Sequence, residues 1–88
     1  MSSLPAYGQG MIDPEGPVPV YRQLATILRE QIERGDLVPN RPIPSVARLQ
    51  QEYGLARGTI LHTVRVLVDE GLVYVVPGKG TFVKPKAQ

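Results

Sequence analysis

Seven of the ten lysines and arginines lie after residue 40: Arg41, Arg48, Arg57, Arg65, Lys79, Lys84 and Lys86. Only Glu52, Asp69 and Glu70 oppose them, a balance of +4. The first forty residues run the other way, with Arg22, Arg29 and Arg34 against Asp13, Glu15, Glu30, Glu33 and Asp36, a balance of −2. Cations gathered on one part of a nearly neutral chain suit contact with phosphate. Other chemistries find less support. His62 is the single histidine, no cysteine accompanies it, and Asp69 and Glu70 lie nearly two turns away, a poor set for a metal. No Ser/His/Asp arrangement or carboxylate pair stands out, so neither an enzyme nor a cofactor is expected. Gly78-Lys79-Gly80-Thr81 looks like the end of a phosphate-binding loop, but it lacks the upstream glycine and no helix follows.

The cations need a frame, and residues 44–71 supply its pattern. Ser45 can cap a helix whose apolar positions Val46, Leu49 and Tyr53 share one face. Gly54 suits the left-handed conformation that ends that helix, and Leu55 can plug the corner. A second helix is expected over 57–70, with Ile60, Val64, Leu67 and Val68 as its apolar stripe and Gly71 as its stop. Helix, short glycine turn and helix make a helix-turn-helix, whose second helix enters the DNA major groove. At about 100° per residue, burying Ile60, Val64 and Leu67 turns Gly58, Leu61, His62 and Arg65 outward. Arg57 and Thr59 open this helix, where free N–H groups and the dipole favour phosphate. Arg57 can instead grip a guanine edge. Leu61 meets either a thymine methyl or its own neighbours. Arg41 sits next to the start of the first of the two helices, reaching a phosphate or standing as an ordinary solvated arginine, and Arg48 lies on that helix.

A hairpin pattern follows directly. Leu72 to Val76 is β-prone, Pro77-Gly78-Lys79-Gly80 is turn chemistry, and Thr81-Phe82-Val83 is β-prone again. The segment 72–83 is thus a wing, with Lys79 at its tip and Gly78 and Gly80 allowing close backbone approach. Upstream, Val20, Leu24, Ile27, Leu28 and Ile32 form a 3.6-residue stripe that begins near Pro19 and ends at Gly35. Tyr21 reads as a packing residue of this helix. Ile43, between Pro42 and Pro44, either inserts into the core or forms a brief edge strand beside the wing. The fold expected is mainly α with a small β-hairpin, a winged helix-turn-helix of three helices plus wing.

These motifs in this order resemble the DNA-binding domain of the GntR family of bacterial transcriptional regulators. The resemblance rests on Tyr21-Arg22-Gln23, Gly35-Asp36-Leu37, Pro44-Ser45, Glu70-Gly71-Leu72 and Gly78-Lys79-Gly80-Thr81-Phe82-Val83. It implies DNA contacts at Ser45, Arg57, Thr59, Gly78 and Lys79. The contact surface also departs from the family pattern: Ala47 stands where arginine is frequent, Ala56 where serine or threonine is, and Gly58 where threonine is. Leu61 and His62 replace residues that are often basic. The resemblance further implies a palindromic operator and a homodimer on DNA. No effector-binding domain follows Val83, so a short stand-alone member without a small-molecule site is expected.

Eighty-eight residues, 42% hydrophobic and 20% charged, allow one small globular domain, expected over 18–84. Residues 1–17, rich in proline and glycine and without a lysine or arginine, read as a flexible arm that Tyr7, Met11 and Ile12 could pin in part. Residues 85–88 read as a tail. No apolar run approaches bilayer length and no secretory pattern opens the chain, so a cytoplasmic protein is expected. The function expected is sequence-specific binding of double-stranded DNA as a transcriptional regulator, most simply a repressor. The alternative is a winged helix serving as a protein-interaction module.

Overall fold

Turn and capping residues mark where α-helices end at Gly35 and Gly54 and where one begins at Ser45. In the computed structural model, which describes residues 11–85, helix α1 covers Val20–Arg34, α2 covers Val46–Tyr53 and α3 covers Arg57–Asp69. Pro19 precedes α1, and Gly35 closes it in the left-handed conformation at φ 86°. The Ser45 hydroxyl oxygen accepts the Arg48 N–H at 3.1 Å and so caps α2. Gly54, at φ 68°, turns the chain toward α3.

Leu24, Leu28, Leu49, Ile60 and Leu67 are almost wholly enclosed where the three helices meet. Burying each such side chain contributes roughly 1.5–3 kcal/mol before ordering costs are subtracted. The stripe expected on α3 needs one correction. Val68 is exposed, because it lies about 90° round the helix from the Ile60–Leu67 line. Thr63 takes the buried place instead, with its hydroxyl shared between the carbonyls of Thr59 at 3.0 Å and Tyr21 at 3.1 Å. The helix also ends at Asp69, with Glu70 as its cap residue.

Strands β1 (Val73–Val76) and β2 (Gly80–Val83) pair antiparallel, with Val73 opposite Val83 and Val76 opposite Gly80. Residues 40–43 run along the other edge of β2. The Val83 N–H donates to Arg41, the Ile43 N–H donates to Thr81, and Pro42 bridges Phe82. Both expectations for Ile43 therefore come true together, since its side chain is also buried in the core. Tyr74 donates its hydroxyl hydrogen to Asn40 Oδ1 at 2.9 Å, fastening the hairpin base to this segment.

Gln23 is the feature that periodicity does not disclose. Only 2% exposed, it donates from Nε2 to the Asp13 and Val18 carbonyls and accepts the Asp13 N–H at Oε1. This ties residues 13–18 to α1, and Ile12 packs on the core beside them. Met11 stays exposed, whereas Tyr7, most of the expected arm and the end of the expected tail lie outside the described residues. Among the described residues, no helix is long and apolar enough to cross a membrane.

Candidate nucleic-acid interface

The start of α2 and the tip of the hairpin face each other across a groove of about 590 Å³. Ser45 and Arg48 line one wall, Lys79 and Gly80 the other, and Ile43 and Val64 contribute apolar surface between them. Two pairs of residues more than thirty positions apart in sequence thus border one concavity. Ser45 keeps its hydroxyl hydrogen available, because its cap bond uses only the oxygen. Arg41 is exposed beside β2 but does not line this groove.

Beyond the groove runs the outward face of α3, where Arg57, Gly58, Leu61, His62 and Arg65 are all exposed and Thr59 is half-buried. The beginning of α3 is bare. Ala56 precedes it and supplies no side-chain cap, which leaves first-turn N–H groups without an intrahelical or cap partner. A Cβ built on Gly58 would meet nothing within 4 Å, so packing does not require glycine there. Ala56 and Gly58, both without a bulky or capping side chain, together open the positive end of the helix dipole to an approaching anion.

Ion pairing engages only two of the described cations. Arg29 holds Glu70 in a two-pronged pair at 2.9 Å, and Arg34 holds Asp36 at 2.8 Å. Among the described residues those are the ion pairs, and Arg41, Arg48, Arg57, Arg65 and Lys79 take part in none. The paired arginines belong to α1, where Arg22 is unpaired, while every cation bordering the groove or on the outward face of α3 is unpaired, as is Lys84 just after β2. At the hairpin tip the Lys79 N–H closes the turn onto the Val76 carbonyl at 2.9 Å. Gly78 at φ 78° and Gly80 at φ 129° hold conformations costly for other residues.

All the residues expected to contact DNA lie at the surface, on α3, at the start of α2, at the hairpin tip or on the segment beside β2. One relation among them escaped the sequence. The His62 imidazole stacks on Tyr21 of α1, with ring centroids 3.8 Å apart and planes 13° from parallel. Nothing in the spacing of residues forty-one apart announces such a pair. Among the described residues no cluster of histidine, cysteine or carboxylates capable of holding a metal is found.

Comparison with known proteins identifies the family and the fold. Residues 20–83 match the family described as "Bacterial regulatory proteins, gntR family". The chain is 40% identical over 78 residues to the HTH-type transcriptional repressor NagR of Bacillus subtilis, which covers 88% of the chain and 32% of that relative. It is 42% identical over 69 residues to the mannosyl-D-glycerate transport/metabolism system repressor MngR of Escherichia coli, covering 78% of the chain and 29% of the relative. The chain therefore spans about a third of the length of these curated relatives. Among solved structures, the AraR DNA-binding domain in complex with operator ORE1 superposes with a TM-score of 0.75 at 36% identity, covering 82% of this chain and 88% of that one. YtrA from Sulfolobus acidocaldarius, a GntR-family transcription factor, gives a TM-score of 0.78 at 34% identity, covering 86% of this chain and 80% of that one.

Proposed function

The chain belongs to the gntR family of bacterial regulatory proteins, as its winged-helix DNA-binding domain, and from that premise we propose how it engages an operator. α3 lies in the major groove, with Arg57 gripping a base edge or a phosphate and Leu61 and Arg65 facing the groove floor. The bare first turn of α3, around Gly58 and Thr59, accepts a phosphate on its N–H groups. Ser45 and Arg48 hold the backbone from one side of the groove between α2 and the hairpin. Lys79, presented between Gly78 and Gly80, holds it from the other, and Arg41 adds a more distant cation.

The observation that carries this reading is the division of ion pairs. Arg29 and Arg34 on α1 are neutralised by partners, while every cation bordering the groove or on the outward face of α3 is left for an external anion. A regulator acting on chromosomal DNA works in the cytoplasm, and repression is the mode proposed, since NagR and MngR are named as repressors. One α3 covers only a half-site, so two copies meeting on a palindromic operator complete recognition. The domain is proposed to be monomeric in solution and to pair on DNA.

Mobility shifts on genomic fragments selected by the protein test the scheme. Affinity should fall steeply between low and near-physiological salt, as counterions displaced from phosphates demand. Failure to bind any duplex at low salt, or binding indifferent to salt, would sink it. Sedimentation of the free protein checks the pairing, and a stable dimer at micromolar concentration would contradict the monomer.

A further inference from the structure

The contact between His62 and Tyr21 joins a residue on the outward face of α3 to a helix outside the helix-turn-helix. His62 is exposed, and Tyr21 is half-buried at the first turn of α1. Their rings lie flat on one another at 3.8 Å. The next residue, Thr63, is fully buried and shares its hydroxyl with the Tyr21 carbonyl at 3.1 Å. Tyr21 thus holds two consecutive residues of α3, one by its ring and one by its backbone. A stacked imidazole keeps both nitrogens in the ring plane, aimed sideways from the stack, and neither makes a hydrogen bond among the described residues.

The direction of that edge follows from the helix. His62 lies about 40° round α3 from Gly58, toward the side where Thr63 meets α1. It occupies one flank of the outward face, while Ser45, Arg48 and Lys79 border the groove on the α2 side. The major groove is about 12 Å wide and a helix with side chains about 10–12 Å across, so a helix lying in it has a phosphate wall on each flank. The α2 flank carries its cations permanently. The α1 flank offers the imidazole, with Arg22 of α1 nearby.

We propose that His62 contacts a DNA phosphate on the α1 flank of the groove, with Tyr21 as the positioning residue that holds the imidazole toward it. The inference rests on the operator-binding scheme above and adds a contact linked to pH. Imidazole side chains change charge between about pH 5 and 8. A phosphate favours the protonated ring, so affinity rises as pH falls through that range. The charged and titratable groups beside His62 are Tyr21 and Arg22 on α1, and Arg65 and Asp69 one and two turns along α3. Arg29 and Glu70, farther along the same cleft, are bound to each other. In the lead-in to α1, Asp13 accepts the Glu15 N–H within its own turn.

The test measures affinity for one selected duplex at several salt concentrations, at pH 6 and pH 8, using the whole chain. The wild type should bind several-fold more tightly at pH 6, with a log–log salt slope steeper by about 0.9, one phosphate's worth. His62→Ala should erase the difference between the two pH values, Tyr21→Phe should keep it, and Tyr21→Leu should reduce it. Because His62 is exposed, His62→Ala tests the contact even if Tyr21→Leu weakens the fold. The single histidine also makes the stack visible in a proton NMR spectrum of the free protein. Its ring protons should be shifted upfield by Tyr21 and return to ordinary positions in Tyr21→Leu. Equal wild-type slopes at the two pH values overturn the proposal, as does a His62→Ala variant that alters base preference and leaves the slope unchanged. A wild type that binds no duplex at either pH refutes the operator-binding scheme itself, and the NMR shift still reports on the stack.

Discussion

α3 and the hairpin reach toward the same ligand from different foundations. α3 is thirteen residues long and rests on Ile60, Thr63 and Leu67, each fully enclosed, with Val64 beside them. The hairpin is built from two four-residue strands and is anchored at its base, where Val73 and Val83 are buried. Two positions along β1, Val75 is already 56% exposed, and residues 77–80 at the tip are exposed throughout. A base edge is recognised only by a donor held in fixed geometry, whereas a phosphate accepts a cation from many directions. The helix therefore has the foundation that selection among sequences requires. The hairpin has enough for a contact that secures position.

Removing the foundation of α3 should produce the largest effect. Leu67→Ala opens a cavity in the sealed core and should cost about 2–5 kcal/mol in urea unfolding. Val75→Ala, on the exposed part of the hairpin, should stay within about 0.5 kcal/mol of wild type. A Val75→Ala loss as large as that of Leu67→Ala would mean that the hairpin is packed as firmly as the helix.

The next effect concerns binding and leaves stability nearly unchanged. Arg57→Ala should cost about 1–3 kcal/mol on the best duplex and relax preference at one base pair. Lys79→Ala should weaken selected and scrambled duplexes alike and lower the salt slope by about one. Affinities on both duplexes at several salt concentrations decide between them. If Lys79→Ala shifts base preference while Arg57→Ala does not, the roles of helix and hairpin are reversed.

The smallest effect is on stability at alkaline pH, and it bears on the support of α3 from the α2 side. Burial, and secondarily the neighbouring Glu52 carboxylate, raise the Tyr53 phenol above its ordinary value of 10.0. A raised folded-state value means that the contribution is complete below about pH 10 and is lost as pH rises through the folded-state value. Tyr53→Phe should unfold with less dependence on pH above 10 than the wild type. An unchanged alkaline profile would show that Tyr53 does not carry this dependence.

The elements themselves were legible in the sequence because their signals are local. Ser45, Gly35 and Gly54 act on their own turns, and apolar spacing selects the inner faces of α1 and α2. The hairpin announces itself through β-prone runs around Pro77 and Gly78. The same logic failed at Val68, where hydrophobicity suggested burial but no packed neighbour encloses the side chain. It was silent on Gln23 and Thr63, since a polar residue on a buried face becomes sensible only when its partners are known. Those partners, Asp13, Val18 and the Tyr21 carbonyl, belong to other segments of the chain.

What the sequence determined by itself, then, is the order of helices and strands, the faces they bury and the surplus of cations after residue 40. Turn chemistry, helical period and charge act over a few residues and need no knowledge of the rest. Tertiary structure decided which of the described cations would be paired between elements and which would be left free. Arg29 meets Glu70 only because α1 and α3 pack together, so one is neutralised from forty-one residues away while Arg48 and Lys79 are left facing a common groove. It also laid Tyr21 beneath His62, turning an isolated histidine into an oriented one. Electrostatic pairing and ring stacking act over a few ångströms of space, and only the folded chain specifies which residues lie that close.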